Sequence, residues 1–382
     1  MNLKVTGVET FAVAPRWVFV RVSTDSDIVG WGEASLEGHS STVAEAVGAL
    51  AERLRGEDPL RINDFWQVGW RGGFYRGGPV LSSALAGIDQ ALWDIAGKAR
   101  GVPVYDLLGG PVRERVRAYS WIGGDRPEDV AKSAHEMIAM GRTAVKMNAC
   151  AEMAPIATMR ETSAVVERAA AVREAIGPDS DFAIDFHGRV SAPMASRLLR
   201  LLAPYEPLFV EEPLLPELGG QLRELIARSP IPIATGERLY SRWDFREPLE
   251  SGVAVVQPDL SHAGGISEVR AIASVAEMYG ALLAPHCPLG PIALAACLQV
   301  CFAVPNVLIQ EHGAGIHYNE DSDLFDYLTD RSPLEVVAGY VSRPTAPGLG
   351  IQIDEEMVRS RAGRSKWRTP LWRLADGVVA EW

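Results

Sequence analysis

The chain has 382 residues, of which 47% are hydrophobic and 23% charged, and its formal net charge is -12. This length exceeds one core of ordinary size and favours a barrel domain of about 200–250 residues together with a smaller domain. The acidic balance argues against a surface for nucleic acid or anionic membranes. An anionic substrate would therefore need a local positive centre, such as a metal ion.

The amino-terminal part of the chain has a mixed α+β pattern. Alternating and helical spacings of apolar residues predict three strands, at 3–12, 17–23 and 28–34, and two helices, at 41–54 and 79–100. A loop rich in glycine and arginine, residues 71–78, separates the two helices. We expect an α+β capping domain over residues 1–116.

From about residue 117 the pattern changes to short apolar strands that alternate with helices. The eight candidate strands are 117–121, 144–148, 182–187, 208–211, 231–237, 253–259, 282–286 and 307–311. Eight such repeats predict a parallel (β/α) barrel over residues 117–325. The remaining residues, 326–382, contain no further strand–helix unit, and we expect them to return to the capping domain.

Targeting and redox signals are weak in this sequence. The first ten residues lack the apolar run of a signal peptide. The most apolar stretch, 291–305, is interrupted by Gln299 and is too short to span a bilayer. The four cysteines form no Cys-x-x-Cys pair, so buried reduced thiols are expected. We expect a cytoplasmic protein with neither a nucleic-acid nor a membrane partner.

Acidic residues end three consecutive barrel strands. Asp185 and His187, two positions apart, are expected to share one face of the third strand. Glu211 and Glu237 end the fourth and fifth strands. One strand-end carboxylate is commonly a helix cap or half of an ion pair, but three in register would repel each other without a shared cation. Oxygen ligands suit Mg²⁺, so Asp185, Glu211 and Glu237 are predicted metal ligands.

Two further strand ends supply an acid–base pair. Asp259 ends the sixth strand and His286 the seventh, and a carboxylate beside an imidazole orients it and raises its basicity. Strands three and seven lie opposite each other in a ring of eight, so His187 should face His286. A base and an acid on either side of a metal fit an elimination reaction. Of the other histidines, His262 is expected to cap a helix, and His317 to have a surface or packing role.

Several segments resemble one known family. They read Gly-Trp-Gly-Glu at 30–33, Phe-Tyr-Arg-Gly-Gly-Pro at 74–79, Asp-Phe-His-Gly-Arg at 185–189, Gln-Pro-Asp-Leu-Ser-His-Ala-Gly-Gly at 257–265 and Ala-Pro-His-Cys-Pro-Leu-Gly-Pro at 284–291. With these segments the chain resembles the enolase superfamily and, within it, the acid-sugar dehydratases. The carboxylate trio is general to that superfamily, whereas the motifs around His187 and His286 are more specific.

The resemblance implies a modified TIM barrel, (β/α)₇β, with an N-terminal α+β capping domain completed by the C-terminal tail. It also implies a hydro-lyase that holds one Mg²⁺ per subunit and acts on a small acid sugar, in a homo-oligomer. In this superfamily a Lys or His base works with Mg²⁺. Here His286, tuned by Asp259, would be the base, His187 the general acid, and Glu311 a hydrogen-bonding partner of the enolate.

The second strand bears on the alternatives. It reads Lys146-Met147-Asn148, without the second lysine that many relatives use as a base, which disfavours a racemase or cycloisomerase. Lys146 is expected either near a substrate carboxylate or in an ion pair. The candidate substrate-binding residues are Lys146, Asn148, Arg16 and Trp17, with the loop 71–78. A different stereoisomeric aldonate, an acid-sugar epimerase and a non-catalytic sugar-acid binding protein remain open.

Overall fold

The chain begins with a three-stranded antiparallel sheet that packs against helices. A computed structural model describes residues 2–316, 319, 322–365 and 367–382, so His317 lies outside the described residues. The sheet has the order β1-β2-β3. Its strands are β1 (Val5–Val13), β2 (Trp17–Thr24) and β3 (Val29–Glu33), followed by helices α1 (Ser40–Leu54), α2 (Ile62–Arg71), α3 (Gly78–Arg100) and α4 (Val104–Leu107).

Helix α3 lies unusually close to strand β3 because glycines face it. A Cβ atom on Gly32 would lie 1.8 Å from the backbone oxygen of Gly87, and one on Gly30 would lie 2.1 Å from that of Ala91. Residues two apart on a strand share one face. The two glycines therefore allow the helix backbone to rest directly on the sheet, which explains why the segment reads Gly-Trp-Gly.

Eight parallel strands then form a closed barrel. They are β4 (Arg115–Ile122), β5 (Ala144–Asn148), β6 (Asp181–Asp185), β7 (Val210–Glu211), β8 (Ile233–Thr235), β9 (Val255–Val256), β10 (Leu282–Leu283) and β11 (Gln310–His312). Each pairs with the next through β10, a bridge from Leu283 to Val307 joins β10 to the segment before β11, and β11 pairs with β4. All eight predicted strands are present.

Seven helices alternate with these strands, which gives the predicted (β/α)₇β arrangement. They are α5 (Pro127–Ala139), α6 (Met159–Ile176), α7 (Ala192–Leu202), α8 (Leu222–Arg228), α9 (Arg246–Ser251), α10 (Gly265–Met278) and α11 (Pro291–Ala303). Inside the barrel, each strand, or the residue next to it, contributes one buried side chain to a single cluster, which mixes large and small residues: Tyr119, Ala144, Ala183, Phe209, Ala234, Val255, Ala284 and Ile309. The interior is therefore packed, and the strand ends above it are left for chemistry.

The C-terminal segment contacts both earlier units. It contains the hairpin β12 (Val336–Val337) and β13 (Tyr340–Ser342), and the helix α12 (Glu355–Arg361), none of which the sequence predicted. Strand β13 pairs antiparallel with the start of β4. On α12, Glu355 lies 3.1 Å from Arg21 of β2, and Arg359 lies 3.1 Å from Glu9 of β1. Because β4 begins at Arg115, we propose that the barrel starts with that strand.

Two expectations about the chain as a whole concern membranes and thiols. Among the described helices, none combines the length and the apolar character needed to cross a bilayer. The four cysteines, all in the described part of the chain, are buried free thiols.

Candidate active site

A cavity of about 720 Å³ opens at the carboxyl ends of the barrel strands. Three parts of the chain line it. The capping unit contributes Arg16, Leu36 and Glu37, the barrel contributes the strand-end residues, and the tail contributes Trp367, Trp372 and Trp382. The site is therefore formed only when all three parts are in place.

The three predicted metal ligands come together at this cavity, which Asp185 and Glu237 line directly. Asp185 ends β6, Glu211 ends β7 and Glu237 follows β8, and each offers an oxygen within 4.8 Å of the other two. Asp185 and Glu211 are buried, and Glu237 keeps 11% of its side chain exposed. Burial and, to a lesser extent, the neighbouring carboxylates raise the pKa of each carboxyl to about 7, although Lys146 or His286 opposes the shift. A cation would remove this repulsion, and three oxygen donors fit Mg²⁺.

Lys146, on β5, already supplies one positive charge to this cluster. Its Nζ lies 2.7 and 2.9 Å from the two carboxylate oxygens of Glu211, and 2.9 Å from Oε1 of Glu311. Burial alone would lower the pKa of Lys146, but the two glutamates raise it well above its usual value. Lys146 makes the expected ion pair and also lines the cavity, so its role near a substrate carboxylate stays a prediction.

Asp259 and His286 form the predicted pair, although the structure places both in loops. Strands β9 and β10 end at Val256 and Leu283, earlier than expected. Nδ1 of His286 lies 2.9 Å from Oδ2 of Asp259, and its Nε2 lies 3.5 Å from Glu237. Burial alone would lower the pKa of His286, but Glu237, Glu311 and Asp259 raise it well above the usual range. The ring is therefore held by Asp259 with its other nitrogen toward the trio.

His187 does not lie on a strand, and that expectation was wrong. Strand β6 ends at Asp185, and His187 has φ +53°, followed by Gly188 at φ +63°. The turn forms because the backbone N–H of His187 donates to Oδ1 of Asp185, at 2.6 Å. Both side chains still line the cavity, and so does His286. The left-handed turn, rather than strand alternation, directs His187 to the site.

The imidazole of His187 is fixed by the C-terminal tail. Its Nδ1 lies 2.9 Å from the backbone oxygen of Trp382, and the two rings meet edge to face at 5.4 Å. Burial, with help from Arg189 and Arg238, lowers the pKa of His187 to about 3. An anionic group in the cavity would raise it, because opposite charge favours the imidazolium.

Glu311 is held as a carboxylate. Oε1 accepts from Lys146, and Oε2 accepts from the backbone N–H of Cys287 at 2.7 Å. Burial raises its pKa, but the charges on Lys146 and His286 bring it below the usual value. An ionised carboxylate can only accept hydrogen bonds. A role as partner of an enolate oxygen would therefore require a proton on Glu311.

The substrate-binding candidates are placed differently from one another. Asn148 lines the cavity, and its buried Oδ1 has no hydrogen-bond partner among the described residues. Arg16 also lines it, and donates to Glu37 and to the backbone oxygen of Pro288. Trp17 does not lie where a substrate-binding residue was expected. It is fully buried in the core, with its ring 5.7 Å from Tyr327, and it does not line the cavity.

The loop 71–78 borders a second, neighbouring cleft rather than the central cavity. That cleft is lined by Arg71 and Arg76, and it shares Arg238 and Tyr240 with the cavity. The loop is therefore separated from the trio by Arg238, which is paired with Glu212 at 2.6 Å. The structure places this loop beside the second cleft, away from a substrate held at the trio.

Sequence reasoning missed several residues of the site. Gln257 donates to Glu211 at 2.7 Å, and the three tail tryptophans line the cavity although each lies more than a hundred residues after the trio in sequence. The tryptophan-rich end of the chain is visible in the sequence. No local spacing, however, connects it to the strand ends.

Two family models match the chain. One is the N-terminal domain of mandelate racemase / muconate lactonizing enzyme, over residues 4–109, and the other is enolase C-terminal domain-like, over residues 129–357. Curated relatives from Ralstonia nicotianae and Cronobacter sakazakii, both named D-galactonate dehydratase, are 53% and 52% identical, with 100% of each chain covered.

Solved structures agree with these models. A mandelate racemase/muconate lactonizing enzyme from Jannaschia sp. is 34% identical with a TM-score of 0.87, covering 94% of this chain and 97% of that one. Another from Sulfitobacter sp. is 33% identical with a TM-score of 0.88, covering 94% and 96%. The chain therefore belongs to the enolase superfamily, in its mandelate racemase and muconate lactonizing enzyme branch.

Proposed function

We propose that the protein is a Mg²⁺-dependent dehydratase that converts D-galactonate to 2-dehydro-3-deoxy-D-galactonate and water, acting as a cytoplasmic metabolic enzyme and as a homo-oligomer. The observation that carries this proposal is one cavity lined by Asp185, Glu237, His187 and His286, with Glu211 completing the oxygen trio and Asp259 paired with His286. Full-length relatives named for this activity are more than half identical to the chain.

The metal is assigned to the trio. Asp185, Glu211 and Glu237 would hold one Mg²⁺ per subunit, whose chemistry when bound is to polarise the substrate carboxylate and acidify the neighbouring C–H. Lys146 and Gln257 hold Glu211 in place through hydrogen bonds to its carboxylate oxygens. These two contacts orient a carboxylate that would otherwise be free to rotate.

His286 is assigned as the base at C2. In the neutral ring, which a cation at the trio would favour over the imidazolium, Asp259 accepts from Nδ1–H and the Nε2 lone pair is directed at the cavity. That nitrogen takes the proton from C2, and Asp259 stabilises the imidazolium that results. Because Asp259 also accepts from the N–H of Ser261 at 2.6 Å, its carboxylate is fixed before the substrate arrives.

His187 is assigned as the acid at the 3-hydroxyl. Its Nδ1 is engaged by the backbone oxygen of Trp382, so Nε2 is the nitrogen that faces the substrate. In the imidazolium form, Nε2–H protonates the departing hydroxyl, which leaves as water. The resulting enol then tautomerises to the 2-keto-3-deoxy acid, and the proton taken by His286 is available for return to carbon.

A direct assay tests the reaction. The purified protein is incubated with D-galactonate and Mg²⁺, and the 2-keto acid is measured by its carbonyl chemistry and by NMR, beside a panel of stereoisomeric aldonates. We expect product from galactonate, and no product from Asp185→Asn. If only another aldonate is converted, that aldonate is the substrate instead of galactonate. If the product is an epimer that keeps its 3-hydroxyl, the reaction is epimerisation instead of dehydration. If no aldonate is converted, the result would favour the alternative of a non-catalytic sugar-acid binding protein.

Isotope exchange separates the roles of the two histidines. In deuterated water, His187→Asn should lose dehydration but still exchange the hydrogen at C2, because the base remains. His286→Asn should lose both. Exchange that survives in His286→Asn would overturn the assignment of the base.

A further inference from the structure

A second set of metal-binding groups lies beside the carboxylate trio. Asp259, His262 and His286 each offer one ligand atom within 4.8 Å of the other two. His262 and His286 both line the central cavity, so an ion could reach them. The donor set differs in kind from that of the trio, because it contains two imidazole nitrogens and one carboxylate oxygen.

The hydrogen bonds of His262 fix which ring nitrogen carries a lone pair. Its Nε2 lies 3.0 Å from the backbone oxygen of Ser35, and only an N–H can donate to a carbonyl. In the neutral ring, Nδ1 is therefore unprotonated, and it faces Oδ2 of Asp259 at 3.9 Å, too far for a hydrogen bond. Metal-ligating histidines commonly donate their other N–H to a backbone carbonyl in this way. The expected capping role is not found, since the residue before α10 is Gly264.

Oδ2 of Asp259 is the point that both histidines share. It lies 2.9 Å from Nδ1 of His286, whereas Oδ1 is taken by the N–H of Ser261. The two imidazole rings are 6.3 Å apart between centroids and tilted by 37°. An ion placed between the three atoms needs only small side-chain movements, because zinc–ligand bonds of about 2.0 Å place ligand atoms roughly 3.3 Å apart.

We propose that Asp259, His262 and His286 form a second, inhibitory site for Zn²⁺ or a similar nitrogen-preferring transition metal. Imidazole ligands favour Zn²⁺ and Co²⁺, whereas Mg²⁺ favours oxygen, so the two sites select different ions. One consequence rests on the proposed function. A metal on Nδ1 of His286 moves the single proton of the neutral ring to Nε2, and that nitrogen can then no longer accept the proton from C2.

The site itself is tested by X-ray absorption on protein saturated with Mg²⁺ and given one equivalent of Zn²⁺. We expect the scattering pattern of two imidazoles around zinc. Oxygen-only coordination, or a single class of zinc that excess Mg²⁺ displaces, would overturn the proposal, because the trio alone would then explain binding. This measurement uses the unaltered protein and needs no substrate.

Calorimetry on a variant assigns the ligand. His262→Gln keeps an amide donor for Ser35 but removes the Nδ1 lone pair, so zinc affinity in the presence of Mg²⁺ should fall at least about tenfold. His135→Gln, at an exposed position on α5, is the matched control and should bind zinc normally. Equal affinity in the two variants would contradict the assignment of His262.

Activity supplies the final test. Zinc inhibition that excess Mg²⁺ does not relieve is expected from the unaltered protein, and relief by Mg²⁺ would overturn the inhibitory role. Because zinc binding is measured without substrate, a failed galactonate assay and a failed zinc site are separate results.

Discussion

At the scale of single residues, charge at the strand ends is balanced by one lysine. Lys146 is 1% exposed and contacts both Glu211 and Glu311. Its positive charge therefore offsets part of the carboxylate repulsion that a metal ion would otherwise relieve. Buried ions are costly unless paired, and removing one partner leaves the other uncompensated. The ion pair therefore keeps the site folded before a metal binds.

Lys146→Met tests this balance. The free energy of unfolding in a chelator should fall by about 3–5 kcal/mol, because two buried carboxylates lose their partner. Added Mg²⁺ should restore part of the loss, so the stabilisation by Mg²⁺ should be larger in the variant than in the unaltered protein. Urea unfolding followed by tryptophan fluorescence, with and without Mg²⁺, measures both quantities.

An exposed lysine provides the control. Lys132 on α5 is 78% exposed, with Glu136 at 3.9 Å, and Lys132→Met should change stability by less than about 1 kcal/mol. A similar loss in both variants, or equal stabilisation by Mg²⁺ in Lys146→Met and the unaltered protein, would contradict this account of Lys146.

At the scale of elements, the contact between α3 and β3 depends on missing side chains. Gly32→Ala places a methyl group 1.8 Å from the backbone oxygen of Gly87, where neither element has a flexible side chain that could move. The helix must shift, and we expect a loss of about 1–3 kcal/mol or more, typical of overpacking. Chemical denaturation of the two proteins measures the difference.

The same substitution elsewhere should have the opposite sign. Gly48 lies on the exposed side of α1, and a Cβ there meets nothing within 4 Å. Gly48→Ala should therefore stabilise the protein by about 0.5–1 kcal/mol, because alanine loses less conformational entropy in a helix. A loss of stability at Gly48, or none at Gly32, would show that packing between α3 and β3 is not the limiting factor.

Elements with strong periodicity could be predicted from the sequence, and short ones could not. The bounds of β5 match the expected 144–148, and α3 begins one residue before the expected 79–100. Helices α8 and α9 have seven and six residues, too short for a helical period to stand out. The strand ends were overestimated because apolar residues continue past the last paired one, as at Phe186.

Site residues near the ends of the barrel strands could be predicted from the sequence. Those that depend on contacts between distant parts of the chain could not. The trio and the Asp259–His286 pair follow from one rule, that side chains at consecutive strand ends converge. The contact of Trp382 with His187 joins positions almost two hundred residues apart, and the burial of Trp17 depends on Tyr327 of the tail. Neither contact leaves a local pattern in the sequence.

At the scale of the whole molecule, the capping unit supplies the caps for two barrel helices. Glu33 of β3 accepts from the N–H groups of Gly290 and Ala293 at the start of α11, at 2.9 and 3.0 Å. Asp89 of α3 accepts from the N–H and hydroxyl of Ser267 at the start of α10. Such oxygens satisfy backbone N–H groups at a helix N-terminus, which have no partner within the helix. These helices follow the loops that carry His286 and Asp259, so docking of the cap also fixes the proposed base and its partner.

The carboxyl of Glu33 makes this junction sensitive to pH. Burial raises the pKa of Glu33 to about 7, from an ordinary value of 4.5. A group whose folded-state pKa is raised stabilises the fold fully below its unfolded pKa, and this contribution is lost as pH rises through 7. The unaltered protein should therefore lose roughly 2–3 kcal/mol from this one group between pH 5 and pH 8.5, since one pKa unit corresponds to about 1.4 kcal/mol.

Glu33→Gln isolates this contribution, because glutamine stays neutral at every pH. At pH 5 the variant should be the less stable protein, since its amide N–H₂ faces the N–H of Ala293 where Glu33 has an acceptor. As pH rises to 8.5, the difference should shrink by roughly 2–3 kcal/mol or reverse. Glu224→Gln, on the surface of α8 with 69% of its side chain exposed, controls for the loss of one carboxylate. If the unfolding free energies of Glu33→Gln and the unaltered protein differ by the same amount at both pH values, Glu33 does not ionise in this range with a raised pKa, and the prediction is wrong.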